Sequence, residues 1–386
     1  MMQTPIPYGR QLITPEDIQA VNEVLLGDFL TQGPKIAELE QAFATYTGAR
    51  FAVALANGTA ALHLCAIALG VEKGKRVITT PNTFAASANC VRYCDGEVWF
   101  ADIDPDTFTL SLEKTRALLE SKPRGFFSGI IPVDFAGLPV NMQAFRQLAD
   151  EFGCWIIEDA CHAPGGSFID SMGQSVNCGN GVYADMAIFS FHPVKHIAAG
   201  EGGMITTNHE ELYQHLLRLR THGITKEPGL MSENHGGWYY EMVELGYNYR
   251  ITDFQAALAL SQLNRADSGL QRRRQIAERY HAAFKNSEIE IPYVPLGFHH
   301  AWHLYVIRTA RRKELYDYLR TKNIFCQVHY IPVHTMPYYR SLGWKKGDFP
   351  DAESYYSRCL SLPMYPSLTD EQQDYVIDAV MEFIGK

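Results

Sequence analysis

Phe51-Ala52-Val53-Ala54-Leu55-Ala56 runs directly into Asn57-Gly58-Thr59-Ala60-Ala61 and then an apolar stretch to Leu69. Six apolar residues without a charge make a strand buried on both faces. The segment from about Thr59 to Leu69 has the length and periodicity of a helix. A strand passing through a small, Gly-containing turn into a helix is the unit of parallel sheets. The unit repeats along the chain. A strand expected at Val77–Thr80 precedes a helix through Ala85–Tyr93, and more strands are expected at Val98–Asp102, Gly129–Asp134, Cys154–Glu158, Met186–Ser190 and Gly203–Thr207. Strands separated by helices predict an α/β fold, a large and mainly parallel sheet covered on both faces.

After about residue 260 the texture changes. A long helical stretch (Phe254–Phe284) leads to fewer strands, at Leu304–Arg308 and Phe325–His329, and a closing helix from Thr369 to Ile384. This predicts a large domain over 1–260 and a smaller α+β C-terminal domain over 261–386. A chain of 386 residues has room for both. There is no internal repeat and no low-complexity linker.

Composition excludes several classes. At 46% hydrophobic and 20% charged residues the chain is neither disordered nor fibrous. Its 34 Lys+Arg against 43 Asp+Glu leave −9, which argues against broad binding to nucleic acid or an anionic membrane. Met1-Met2-Gln3-Thr4-Pro5 lacks the layout of a signal peptide, and no stretch approaches the roughly 20 apolar residues that span a bilayer. Eight scattered cysteines, some inside apolar runs, read as free thiols in a reducing, cytoplasmic setting. Three fragments fail as motifs. Gly70–Arg76 is one residue short of a phosphate loop, and His209-Glu210-Glu211-Leu212-Tyr213 ends in Tyr where a zinc protease has His. His299, His300 and His303 have no supporting cysteine or acidic pattern, so no metal is expected. Arg272-Arg273-Arg274 reads as a solvated helix face.

Ligands of open α/β sheets gather at the carboxyl ends of strands, and four segments fall there. Asn57-Gly58-Thr59-Ala60-Ala61 opens a helix whose N–H groups and dipole suit a phosphate, though Thr59 also reads as a plain helix cap. Glu158-Asp159-Ala160-Cys161-His162 puts two carboxylates at the end of a buried strand, where an unpaired charge is costly. Ser190-Phe191-His192-Pro193-Val194-Lys195, followed by Gly200-Glu201-Gly202-Gly203, offers a lysine that an apolar pocket turns into an amine nucleophile. Leu245-Gly246-Tyr247-Asn248-Tyr249-Arg250-Ile251-Thr252-Asp253 is a polar loop opening the helix with Gln255-Ala256-Ala257-Leu258. A phosphate cradle, an acid for a heterocyclic nitrogen, a Schiff-base lysine and an aromatic (Phe84, in Pro81-Asn82-Thr83-Phe84) together describe a pyridoxal phosphate (PLP) site.

At this point the chain resembles the fold-type I sugar aminotransferases of the DegT/DnrJ/EryC1/StrS family, from Thr31-Gln32-Gly33 to the C-terminal helix. The ordered set NGTAAL, TPNTFAASAN, EDACHA, SFHPVK, GEGG and GYNYRITDFQAAL carries the resemblance. It implies an aspartate-aminotransferase-like fold and a role for each matching position. Lys195 would form the Schiff base with PLP and shuttle the proton. Asp159 would pair with the pyridine nitrogen, His162 would contact the ring from the same loop, and Phe84 would stack on it. Thr59, the Ala60 backbone and Ser190 would hold the phosphate, with Asn248 reaching in from the neighbouring subunit of a homodimer. The implied reaction takes nitrogen from L-glutamate, leaves the cofactor as pyridoxamine phosphate, and delivers the nitrogen to a keto-sugar nucleotide. A dehydrating branch carries His where this chain has Lys195, so Lys favours transamination over dehydration, and Asp159, Lys195, Ser190 and Asn248 together speak against a non-catalytic relative.

Ile324-Phe325-Cys326-Gln327-Val328-His329-Tyr330-Ile331-Pro332-Val333-His334 is similar to the branch serving pseudaminic acid synthesis. That branch aminates C4 of a UDP-4-keto-6-deoxy-N-acetylhexosamine. Branches acting on UDP-4-keto-arabinose and GDP-perosamine precursors share much of the layout. His329 and His334 are candidate substrate contacts, each equally readable as a core or surface histidine, and Thr31 and Gln32 in the N-terminal loop are further candidates.

Overall fold

A computed structural model describes residues 4–385; Met1, Met2 and Gln3, which open the N-terminal stretch read above, lie outside them, as does Lys386. Its centre is a sheet of seven strands: β1 (Phe51–Leu55), β2 (Arg76–Thr79), β3 (Glu97–Phe100), β4 (Gly129–Ile131), β5 (Trp155–Asp159), β6 (Met186–Ser190) and β7 (Gly203–Thr207). Across the sheet they run β1-β7-β6-β5-β4-β2-β3. β7 is antiparallel to β1 and β6, and every other pairing is parallel. The sheet is mainly parallel and mixed, as expected.

Period-two alternation sorts the strands onto two faces. Val53, Leu55, Ile157, Ile188 and Ile205 pack with helices Gly58–Ala68, Ala86–Tyr93 and Glu210–Arg220. Ala52, Ala54, Ala187, Phe189 and Met204 pack with helices Pro34–Thr47 and Asp253–Leu263. Each fully buried large side chain contributes roughly 1.5–3 kcal/mol. Burial on both faces is why these strands read as continuous apolar runs.

Boundaries differ where local chemistry intervenes. β4 stops at Ile131, because Pro132 has no N–H to extend the ladder, and the chain turns through a short 3-10 helix, Phe135–Gly137. The expected helix over 254–284 is two, Asp253–Leu263 and Ala266–Phe284. Between them Arg265 leaves helical geometry (φ −121°, ψ 15°), and its guanidinium binds the Asp17 carboxylate and the Leu12 carbonyl. The strand expected over Phe325–His329 shortens to Ile324–Phe325, which pairs in parallel with Ile6–Pro7. Arg273 corrects the reading of its run as solvated. It is 1% exposed and donates to the carbonyls of Trp302, His303 and Met364, while burial pushes its pKa down to about 9.

A second core gathers Ile276, Tyr280, Ile307, Leu319, Leu362 and Val380 around the antiparallel pair Tyr305–Arg308 and Cys359–Leu362. Packing crosses the boundary expected at residue 260 in both directions. Ile6 joins this second core, and Leu304, Val333 and Tyr355 join the core under the large sheet. All eight cysteines are free. No helix among the described residues is long and apolar enough to cross a membrane.

Candidate active site

Alternation at the end of β5 turns the two adjacent acids to opposite sides. Asp159, 5% exposed, borders a cavity of about 930 Å³ at the carboxyl ends of the central strands. Its Oδ2 accepts from Ser87 Oγ at 2.6 Å and its Oδ1 from the Cys161 N–H at 3.2 Å. Those bonds fix the carboxylate plane. Glu158 points away, where both its oxygens accept the Gly179 N–H at 3.2 and 3.1 Å. There it meets Asp134 and Cys178 in a buried trio with ligating atoms within 4.8 Å. Burial pushes the Asp134 carboxyl up to about 7. Burial, reinforced by Asp134, pushes Glu158 well above the usual carboxylate range.

Lys195 borders the same cavity. Its position follows from the turn after β6, where its N–H donates to the His192 carbonyl at 2.8 Å and the Ala199 N–H to the Phe191 carbonyl at 2.9 Å. Burial lowers its pKa below that of an ordinary lysine, while Cys161 and Asp159 oppose the shift. A lysine in that state holds more of its amine unprotonated near neutral pH, as a nucleophile requires.

Facing it is the N-terminus of the Gly58–Ala68 helix. The cap is Asn57, whose Oδ1 accepts the Ala60 N–H at 2.8 Å. This replaces the reading of Thr59 as the cap, and it engages the Ala60 N–H expected to hold phosphate. The Gly58 and Thr59 N–H groups stand in the first turn, where no intrahelical carbonyl can reach them. Ser190 lies beside them, since a Cβ on Gly58 would sit 3.1 Å from Ser190 Cβ. Gly203 pairs in register with both Leu55 and Ser190. A Cβ there would come within 2.5 Å of the Asn57 carbonyl carbon and oxygen. Only glycine lets β7 lie this close to the turn.

Of the expected contacts, Thr59, Ala60, Phe84, Asp159, His162, Ser190, Lys195 and His329 all border the cavity. Phe84 keeps 62% of its surface exposed, 6.2 Å from the Tyr330 ring. His162 Nδ1 accepts the Ala136 N–H at 3.2 Å, and its Nε2 lies 3.1 Å from Tyr330 Oη. His329 Nδ1 is 2.8 Å from Ser361 Oγ, and burial pushes its pKa down to about 3.

Four others lie elsewhere. His334 is fully buried, 3.0 Å from Glu353 and edge-on to Phe349. It is a core histidine, which corrects its expected contact with substrate. Thr31 and Gln32 are exposed in a loop tied to the Asp253–Leu263 helix. Thr31 bridges Thr252, and the Gly33 and Lys35 N–H groups donate to Asp253 at 2.8 and 3.0 Å. Asn248 is exposed beside Thr221. Asn57, Ser87 and Tyr330 border the cavity without having been singled out in sequence. Ser87 and Tyr330 sit inside motifs already quoted, but their bonds join positions 72 and 168 residues apart.

Known proteins share this fold. A family model described as the DegT/DnrJ/EryC1/StrS aminotransferase family matches residues 11–381. The chain belongs to that family. The spore coat polysaccharide biosynthesis protein SpsC of Bacillus subtilis is 39% identical over 388 residues, covering 98% of this chain and 97% of its own. Among solved structures, the putative sugar aminotransferase Spr1654 from Streptococcus pneumoniae, in its PMP form, superposes with a TM-score of 0.89 at 30% identity, covering 98% of this chain and 100% of its own. That protein has also been solved in a PLP form. Helicobacter pylori PseC, an aminotransferase of pseudoaminic acid biosynthesis, superposes with a TM-score of 0.88 at 27% identity, covering 99% and 100%. The family relation thus spans both the large sheet and the C-terminal core.

Proposed function

We propose that the protein is a sugar-nucleotide aminotransferase using PLP, and that it moves an amino group from L-glutamate to C4 of a UDP-4-keto-6-deoxy-N-acetylhexosamine. The observation that carries this reading is the joint presence of Lys195, Asp159 and an open helix N-terminus around one cavity. The donor set fits PLP group by group. A buried carboxylate oriented by Ser87 suits the pyridinium nitrogen, and a lysine of lowered pKa suits the aldehyde carbon. The Gly58 and Thr59 N–H groups with Ser190 suit the phosphate. PLP bound there supplies the electron sink on which transamination depends.

The chain's own residues do the rest. Asp159 holds the proton on the ring nitrogen. Lys195 Nζ would carry the proton from the donor's α-carbon to the C4′ carbon of the cofactor, and in the second half-reaction from that carbon to C4 of the sugar. Phe84 covers one face of the ring and keeps water from it. His329 contacts the sugar. A large unit over 1–260 holds the cofactor, and a smaller one over 261–386 closes over the sugar. The likeness to PseC supports the choice of sugar.

The site is shared between two subunits. Among the described residues, Lys195 is the only Lys or Arg bordering the cavity, and an amino acid with two carboxylates or a sugar diphosphate needs more cationic partners than that. Asn248, Thr31 and Gln32, exposed on this chain, serve the neighbour's cavity, and the enzyme works as a homodimer in the cytoplasm.

The test is incubation with glutamate and a panel of UDP-, dTDP- and GDP-4-keto sugars, read by mass spectrometry. Gain of nitrogen with release of 2-oxoglutarate is expected for the UDP-N-acetylhexosamine. Loss of a hydroxyl without nitrogen sinks the transamination. Borohydride is expected to trap the cofactor on Lys195, and trapping at another residue sinks the assignment.

A further inference from the structure

His63 lies within the Gly58–Ala68 helix, four residues on from Thr59 and therefore on the same face of it. Its side chain is buried, and no step of the proposed reaction uses it. Its Nδ1 is 3.1 Å from Tyr249 Oη. Burial pushes its pKa below that of ordinary histidine, and a neutral imidazole bonds a phenol in either tautomer. The same tyrosine is also held by its backbone. Its carbonyl accepts the Ala56 N–H at 2.8 Å, and its N–H donates to the Arg220 carbonyl at 3.1 Å. Ala56 immediately precedes Asn57, the helix cap. Residue 249 is thus tied to both sides of the turn that receives this chain's own cofactor phosphate.

Asn248 goes the other way. The rings of Tyr247 and Tyr249 stack at 5.0 Å and 22°, and both approach His63, with centroids at 5.0 and 5.9 Å. Residues two apart in extended chain share a side, and the one between them faces the opposite side. Asn248 there bridges Thr221 and is exposed, off this chain's cavity. Met242, Val243 and Leu245 just ahead of it are exposed as well, an apolar stretch of the kind that meets a partner. We propose that His63 is a positioning residue for the neighbouring subunit's cofactor site: by gripping Tyr249 it fixes the direction in which Asn248 leaves this chain. This rests on the reading of a site shared between two subunits. It adds that the phosphate helix of each subunit aligns a residue for the cofactor of the other.

Hybrid dimers separate this role from one in the chain's own cavity, which His63 and Tyr249 both border. Lys195→Ala in one subunit leaves a single lysine to hold PLP, and visible absorbance on titrating the apoprotein reads the affinity of that one site. Tyr249→Phe placed in the Lys195→Ala subunit is expected to weaken PLP binding at the intact lysine about fivefold, the size of one hydrogen bond. Placed in the subunit that keeps Lys195, the same change is expected to leave that affinity as it was. His63→Ala is expected to follow the same pattern, and His63→Asn, which keeps a polar atom near the Nδ1 position, to restore most of the affinity. A loss only when the change shares a subunit with Lys195 overturns the proposal. An equal loss in both arrangements overturns it too, as does none in either. Asn248→Ala in the Lys195→Ala subunit is the control. If it weakens binding while Tyr249→Phe does not, the proposal alone falls. If Asn248→Ala has no effect across the interface, or the wild type is monomeric, the shared-site reading falls with it.

Discussion

Ser87 Oγ lies 2.6 Å from Asp159 Oδ2, so one oxygen of the key carboxylate has a fixed partner before any ligand arrives. A hydrogen bond to a charged group is worth about 1.5–3 kcal/mol. Ser87→Ala is expected to lower turnover about tenfold with little change in KM, measured by steady-state kinetics with saturating cofactor. Behind the wall, Asp134 and Glu158 hold their protons to higher pH than ordinary carboxylates, because burial raises both. A raised carboxyl binds protons in the folded state that the unfolded chain has already lost. Stability therefore falls as pH rises from the ordinary carboxylate range through about 7. Glu158→Gln removes the anionic neighbour and keeps an oxygen for the Gly179 N–H. In thermal melts its Tm relative to wild type is expected to be higher at pH 8 than at pH 5. At this scale the sequence was partly legible. Lys195 and Asp159 stood at strand ends inside motifs, whereas Ser87 and Tyr330 acquire meaning only from partners distant in the chain.

The turn between β1 and the Gly58–Ala68 helix shows what elements add. Asn57 fastens the first turn through the Ala60 N–H, and loss of such a cap typically costs about 1 kcal/mol. Gly203 seats the turn against β7, and its neighbours at 2.5 Å are backbone atoms that cannot rotate aside. Gly203→Ala is expected to displace the turn and weaken PLP retention at least tenfold, measured by cofactor titration of the apoprotein. Asn57→Ala is expected to weaken it less. The strands of the large sheet were legible because double-sided burial writes itself as short apolar runs. Short pieces such as Ser167–Ile169 and Ser175–Asn177 were not, since three residues carry too little periodicity. The break at Asn264–Arg265 escaped notice because it depends on Asp17, far away in sequence.

On the whole molecule, large apolar side chains lie open around the loop that carries Thr31 and Gln32. Leu26 is 89% and Phe29 56% exposed, with Leu30 and Phe254 beside them. Contiguous exposed apolar surface marks interaction sites. The double variant L26D/F29D is expected to run as a monomer in sedimentation equilibrium and to lose turnover while keeping its helical circular dichroism. A monomeric wild type with full activity would sink the shared site. One further property follows from the pairing of Ile6–Pro7 with Ile324–Phe325. The ribosome makes Ile6–Pro7 long before Ile324–Phe325, and at roughly 5–20 residues per second the wait is tens of seconds. Ile6 stays unpaired throughout that interval, so this corner closes only once Phe325 has been made. A bulky insertion beside Ile6 would therefore press on the C-terminal core, among residues far from it in sequence.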